Sequence, residues 1–214
     1  MIKCPLTGST NVKIIYEQKS VPLIQNKVYA TKEQAVNAPC IDVILAQSLN
    51  NGFVFSANFN ESIIDYDAAY QNEQSNSVYF RQHLEHVIEI MRNNNTLNGK
   101  VVEIGCGKAY FLEMLLDRGV NITGFDPTYE GHSTKVVKDF FSDKYSDIGA
   151  EFIILRHTLE HIAHPFNFIK TIAAANKHKG KIYIEVPTFD WITAHNATED
   201  IFYEHCNYFT LATL

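Results

Sequence analysis

From about residue 77 to residue 186 the chain alternates short β-branched runs with stretches of helical period. Val101-Val102-Glu103-Ile104 predicts a short buried strand. Phe111, Leu112, Leu115 and Leu116 then recur at helical spacing and predict a helix. Upstream, Phe80, Leu84, Val87, Ile88 and Met91 fall on one helical face, with Ser77 placed to cap the helix and Asn93-Asn94-Asn95 to end it. Further strands are predicted at Asn121–Phe125, at Val136-Val137, at Phe152–Leu155 and at Lys181–Val186. The Phe152–Leu155 run is wholly apolar and therefore reads as buried on both faces. Pro165–Asn176 reads as a helix with Phe168, Ile169 and Ile172 inward. Such alternation predicts an α/β fold, a parallel sheet with helices on both faces and ligands at the carboxyl ends of its strands.

Residues 1–60 read differently, as a small β-rich module. Cys4-Pro5-Leu6-Thr7-Gly8-Ser9 has the form of half a zinc knuckle whose second thiol is Thr7. Val43–Gly52 has the form of the other half, with Ala46 and Leu49 at the cysteine positions. Structural zinc needs four soft or imidazole ligands. One thiol remains, and the spacing of Cys40 does not replace the others, so the expectation is a degenerate module without metal, or one that was never a knuckle. Residues 61–98 form a second segment. A polar loop carrying Tyr66, Tyr70, Gln74, Ser75 and Ser77, followed by the amphipathic helix, would serve as a lid. Residues 99–214 form the third.

Composition narrows the function classes. Of 214 residues, 46% are hydrophobic and 20% charged, ordinary values for a soluble globular protein. No apolar run reaches the length of a membrane span, and Met1–Pro5 lacks a signal-peptide pattern. The formal charge of −6 gives no electrostatic footprint for nucleic acid. Four scattered cysteines suit a reducing, cytoplasmic location. The expected partner is a small molecule, with neither nucleic acid nor membrane.

The candidate chemistry gathers at the strand ends. Gly105 and Gly107 let the backbone turn sharply and approach a ligand. Position 110, where the dinucleotide fingerprint wants a third glycine, holds Tyr110. Asp126, at the end of the next strand, would lie beside this turn, where a carboxylate can accept both ribose hydroxyls. Arg156-His157-Thr158-Leu159-Glu160-His161 contains His-x-x-Glu-His, a zinc-hydrolase spacing on a helix. It leaves a buried strand here, the wrong context, so a zinc hydrolase is a remote alternative.

Glu103-x-Gly105-x-Gly107-x-Ala109 resembles the first motif of class I S-adenosylmethionine-dependent methyltransferases. Together with Gly124–Gly131, Arg156–Ile162, Glu185–Trp191 and Tyr203-Glu204-His205-Cys206-Asn207-Tyr208-Phe209, nearly the whole chain is similar to the sugar C-methyltransferase-like branch of that family. The resemblance implies a Rossmann-like sheet, here truncated after the fifth strand, behind a small N-terminal β-rich module. The exposed edge left by the fifth strand would then be covered by a further part of a longer chain, by a second chain, or in a homo-oligomer.

The resemblance also implies S-adenosyl-L-methionine as cofactor, with Tyr70, Glu103, Gly105, Cys106, Gly107, Phe111, Asp126, Pro127, Asp139, Phe140 and Arg156 holding it. Ser77 and His157 would bind substrate, most suitably a nucleotide-linked sugar. Methyl transfer to carbon requires removal of a proton beside a ketone; His161 and His205 are the candidate bases, having pKa values near neutral. Glu204 would orient one of them, and Tyr203 would donate to the enolate oxygen. These four residues are expected to converge facing the cofactor's methyl, with Tyr70 and Ser77 closing the pocket. O- or N-methylation would use the same loop. A catalytically inactive cofactor-binding partner subunit is the alternative.

Overall fold

The computed structural model describes residues 1–65, 70–71 and 74–214. Tyr66 of the expected lid loop lies outside them. Along the chain run β1 (Val12–Pro22), α1 (Lys32–Val36), β2 (Cys40–Ser48), β3 (Val54–Ser56), α2 (Val78–Asn93), β4 (Val101–Ile104), α3 (Tyr110–Leu116), β5 (Ile122–Phe125), β6 (Val136–Val137), β7 (Phe152–Arg156), α4 (Pro165–Ala175), β8 (Lys181–Glu185), α5 (Phe189–His195) and β9 (Asn207–Tyr208). Short 3-10 turns occupy Glu61–Ile63, Leu159–His161 and Thr198–Asp200. None of the helices described is long and apolar enough to cross a membrane. Contacts divide the chain into two units: Met1–Gln71 with Leu159–Phe166 and Val186–Leu214, and Asn72–Thr158 with Asn167–Glu185.

The first unit is built on an antiparallel sheet of order β1-β2-β3-β9. Its core is formed by Val21, Val43, Leu45, Val54, Ile192, Ile201, Tyr203 and Tyr208. The fourth strand comes from the far end of the chain, where Val54 faces Tyr208 and Phe55 faces Asn207. In the knuckle-like turn the Gly8 amide donates to the Cys4 carbonyl at 2.8 Å and the Cys4 amide to the Ser9 carbonyl at 2.9 Å. Cys4 is buried, whereas Cys40 is exposed.

The second unit carries the parallel sheet, in the order β6-β5-β4-β7-β8. Numbered within this sheet the order is 3-2-1-4-5, a doubly wound arrangement whose switch point lies between β4 and β7. The two-residue period of the strands sorts the core. Val101, Ile122, Phe152 and Ile154 pack with Leu84, Val87, Ile88 and Met91 of α2 and with Phe111, Leu112 and Leu115 of α3. Val102, Ile104, Ile153 and Leu155 pack on the other face with Ile172 and Ala175 of α4. Ser77 caps α2 as its spacing predicts, its hydroxyl accepting from the Phe80 amide at 3.3 Å. With helices on both faces, the polar residues that end β4, β5, β7 and β8 are confined to the carboxyl edge.

Candidate active site

The glycine turn is held by the chain itself. Gly105 has φ +77° and Gly107 φ +54°. A Cβ on Gly105 would stand 2.2 Å from Thr158 Oγ1, a hydroxyl that donates to the Arg156 or Ile104 carbonyl (3.0 and 3.2 Å). Ala109 also adopts a left-handed conformation, φ +65°, immediately before α3. The position where this turn favours a third glycine is therefore 109, not the 110 of the dinucleotide fingerprint. Asp126 ties the turn to β5: its Oδ2 accepts the Gly107 amide at 2.7 Å. Its Oδ1 accepts from the Thr128 amide and hydroxyl at 2.9 and 2.8 Å, closing a turn over Pro127. Of the roughly four lone-pair positions of a carboxylate, the described residues engage three.

Beside the turn, Glu103 is buried within β4 and its Oε2 has no hydrogen-bond partner among the described residues. Burial raises its pKa to about 7, against the lowering effect of the Arg156 charge. Arg156, at the end of β7, lies with its guanidinium 4.4 Å from the Phe111 ring centroid. Its Nε donates to Glu185 Oε2 at 2.8 Å, while its buried Nη2 has no partner among the described residues. Glu185 ends β8. His83 Nε2 lies 2.6 Å and His157 Nε2 3.3 Å from its Oε1. Burial alone would raise the Glu185 carboxyl, but hydrogen bonds from His157, Arg156 and His83 hold it well below the usual carboxylate range.

Glu103 Oε2 and Arg156 Nη2, of opposite hydrogen-bonding character, are thus both buried without a partner among the described residues of this unit. Glu103 offers an acceptor and Arg156 a donor. The pair is complementary to an α-ammonium and an α-carboxylate, the two charged groups of an amino acid.

The first unit contains a second polar cluster. Glu160, His161 and His205 each bring one ligating atom to within 4.8 Å of the others. The His161 and His205 rings meet edge to face at 4.8 Å. His161 Nδ1 lies 3.0 Å from the Glu204 carbonyl oxygen. A carbonyl only accepts, so Nδ1 carries a proton. The Glu204 side chain is fully buried; its Oε2 accepts the Gln25 amide at 3.0 Å, and its Oε1 has no partner among the described residues. Burial raises its carboxyl to about 7. Tyr70 belongs with this cluster, because burial first, and then the charges of Glu204 and Glu160, push its hydroxyl up to about 12.

Several expectations are changed by this geometry. The Glu204 carboxylate bonds Gln25, so it is the main-chain oxygen of Glu204 that orients His161. The Tyr203 hydroxyl donates to the Asn58 carbonyl at 3.1 Å and accepts the Asn60 amide at 2.8 Å, so it secures a loop of the first unit. No helix forms across the His-x-x-Glu-His stretch: His157 takes φ +49° and a 3-10 turn spans Leu159–His161. The two-histidine helix face of a zinc hydrolase is therefore not made. Asp139 accepts from the Tyr145 hydroxyl and pairs with Lys144, both on its own loop. Phe140 stands 72% exposed. The Cys106 thiol is pushed up by burial and stays neutral. Glu185 and His83 carry only weak signals in the sequence, the place of Glu185 at a strand's carboxyl end and that of His83 one turn from Phe80, while Glu160 stands there only within His-x-x-Glu-His.

The profile of the family described as "Methyltransferase domain" matches residues 80–214. The chain belongs to this family. The match takes in the glycine turn, Asp126 and the Tyr203–Phe209 loop. No curated protein sequence matches the methyltransferase chain. Among solved structures it is similar to a SAM-dependent methyltransferase from Archaeoglobus fulgidus, with 22% identity over 53% of this chain and 60% of that one, TM-score 0.39. The methyltransferase domain of bacterial CtHen1-CN is similar at 18% identity over 62% of this chain and 78% of that one, TM-score 0.46. A complex between the Haloferax volcanii Trm112 methyltransferase activator and the putative methyltransferase is similar at 15% identity over 63% and 68%, TM-score 0.43. The chain thus spans 60% of the first of these relatives.

Proposed function

We propose that this methyltransferase domain transfers a methyl group from S-adenosyl-L-methionine to a small-molecule acceptor, a nucleotide-linked sugar. The observation that carries the cofactor is the unsatisfied pair Glu103 Oε2 and Arg156 Nη2 beside the glycine turn. An amino-acid end supplies the donor one lacks and the acceptor the other lacks, relieving two buried polar groups at once. Asp126 retains about one lone-pair position for a ribose hydroxyl; accepting both hydroxyls requires the Thr128 side chain to turn away. The positive φ of Gly105 and Gly107 gives the sharp turn between β4 and α3.

When bound, the cofactor supplies an electrophilic methyl on a sulfonium for an in-line displacement. The acceptor's nucleophilic atom forms its bond to the methyl carbon as the carbon–sulfur bond breaks and S-adenosylhomocysteine leaves. In carbon methylation the proton beside the ketone must be removed first. We assign that proton to Glu204, whose buried Oε1 has no partner among the described residues. The Tyr203 hydroxyl is taken up by Asn58 and Asn60, which makes it a support for the loop and not the phenol facing the acceptor. The sugar acceptor rests on the likeness of the Tyr203–Phe209 loop to sugar C-methyltransferases.

The test is calorimetry with S-adenosylmethionine and S-adenosylhomocysteine, followed by incubation of methyl-labelled cofactor with nucleotide-linked keto sugars. Binding of the cofactor and label in the sugar are expected. Equal or tighter binding of NAD would overturn the cofactor reading. Label appearing only in unrelated acceptors would overturn the sugar.

A further inference from the structure

We infer that Glu160, His161 and His205 form a site for one divalent first-row cation, with zinc the best-suited ion. The ligating atoms of the three residues lie within 4.8 Å of one another. Three ligands bound to one ion at about 2.0–2.2 Å stand about 3.3 Å apart in a tetrahedron. Small side-chain rotations close the difference. Two imidazoles and a carboxylate are a donor set that zinc takes where it keeps a position open.

Three further features favour a metal over a chance meeting of polar groups. First, the orientation of His161 is fixed. Its Nδ1–H donates to the Glu204 carbonyl at 3.0 Å, the kind of outer partner that orients a ligating histidine. Second, the two segments that carry the ligands are stitched together. The Cys206 amide donates to the Glu160 carbonyl at 2.9 Å, and the buried Asn207 side chain donates to the Ile162 and Leu159 carbonyls at 2.6 and 3.3 Å. The 3-10 turn at Leu159–His161 and the loop at Glu204–Tyr208 therefore hold their side chains in a fixed relation. Third, Glu160 is 1% exposed, so an ion held by its carboxyl would be shielded from bulk water. His161 is less buried than Glu160 and His205.

The site is distinct from the cysteine module at the start of the chain and from the zinc-hydrolase pattern, whose His157 pairs with Glu185 instead. A cation held here would coordinate an acceptor oxygen and polarise its carbonyl, while Glu204 takes the proton. That role rests on the methyl-transfer reading; the binding of the ion does not.

The experiment uses the full chain stripped of metal with a chelator. Zinc and cobalt(II) are titrated by calorimetry, with the cobalt form followed by its visible absorption. One equivalent is expected, with the intense bands of a tetrahedral cobalt site. His161→Ala, His205→Ala and Glu160→Gln should each lower affinity by more than the roughly 10–100-fold that loss of an outer-shell partner costs. The Cys4→Ser, Cys40→Ser double variant should leave it unchanged. Circular dichroism of Glu160→Gln, the isosteric variant, separates loss of the site from loss of the fold. The inference is overturned if the stripped protein binds no zinc. It is also overturned if binding survives the histidine and glutamate changes and is lost in the cysteine variant. S-adenosylhomocysteine is titrated in parallel. Cofactor binding without metal binding defeats this inference alone; metal binding without cofactor binding defeats the methyl-transfer reading alone.

Discussion

Asp126 Oδ2 accepts the Gly107 amide at 2.7 Å, joining the end of β5 to the glycine turn that follows β4. One carboxylate therefore shapes the turn and presents a remaining lone pair to a ligand. Asp126→Ala should weaken S-adenosylhomocysteine binding by about 1.5–3 kcal/mol, the scale of a hydrogen bond to a charged group. The measurement is a calorimetric titration of both proteins. 5′-Methylthioadenosine, which keeps the ribose and lacks the amino acid, should show the same loss.

Glu103 should behave in the opposite way. Glu103→Gln should weaken S-adenosylhomocysteine but leave 5′-methylthioadenosine unaffected, because its unsatisfied Oε2 is assigned to the amino-acid end. Equal losses for both ligands in a competition assay would remove Glu103 from that role.

The same residue sets a pH dependence of stability. Its pKa is raised from 4.5 to about 7 in the folded protein. Below pH 4.5 it is protonated in both states and imposes no penalty. Between the two values the folded state binds more protons than the unfolded, so this contribution falls as pH rises and is lost above about 7. The total is on the order of 3 kcal/mol. Thermal melts from pH 5 to 8 should show a fall in wild type that is smaller in Glu103→Gln, the remainder coming from the buried Glu204 carboxyl, which is also raised to about 7. Cofactor binding near pH 6 should release a proton, detectable as a buffer-dependent binding enthalpy.

Two small-residue changes in the turn should have opposite effects. Gly105→Ala places a Cβ 2.2 Å from Thr158 Oγ1 and forces a side chain onto a φ of +77°. The left-handed conformation alone costs an L-residue about 1–2 kcal/mol, and overpacking adds about 1–3 kcal/mol. Ala109→Gly relieves the same conformation at a φ of +65° and should leave the melting temperature equal or higher. Differential scanning fluorimetry reads both.

The Tyr203–Glu204 pair separates support from chemistry. Tyr203→Phe removes a hydroxyl that bonds Asn58 and Asn60, and should cost about 1–3 kcal/mol of stability with turnover largely kept. Glu204→Gln should lower turnover by about 10²–10⁴-fold with cofactor affinity nearly intact. The reverse pattern in single-turnover assays would return the role to Tyr203.

Some of this protein is decided by the chain taken locally. The strand, glycine turn and helix from Val101 to Leu116 and the buried face of α2 are read directly, because the periodicity of apolar side chains is a local property that burial then enforces. The parallel sheet follows from alternation, and Asp126 from its place at a strand end. The rest depends on folding distant segments together. Asn207–Tyr208 completes a sheet begun at Val12, since the partner of a short strand is chosen by packing and not by its own sequence. The Tyr203 hydroxyl is spent on a loop that sequence cannot show lying beside it. Glu185 gathers His83 from α2 and the consecutive Arg156 and His157 from the end of β7, and Glu160 with His161 meets His205 across a wide gap in the chain. Charge and ligation act over a few ångströms in space; only the tertiary structure fixes which side chains come that close.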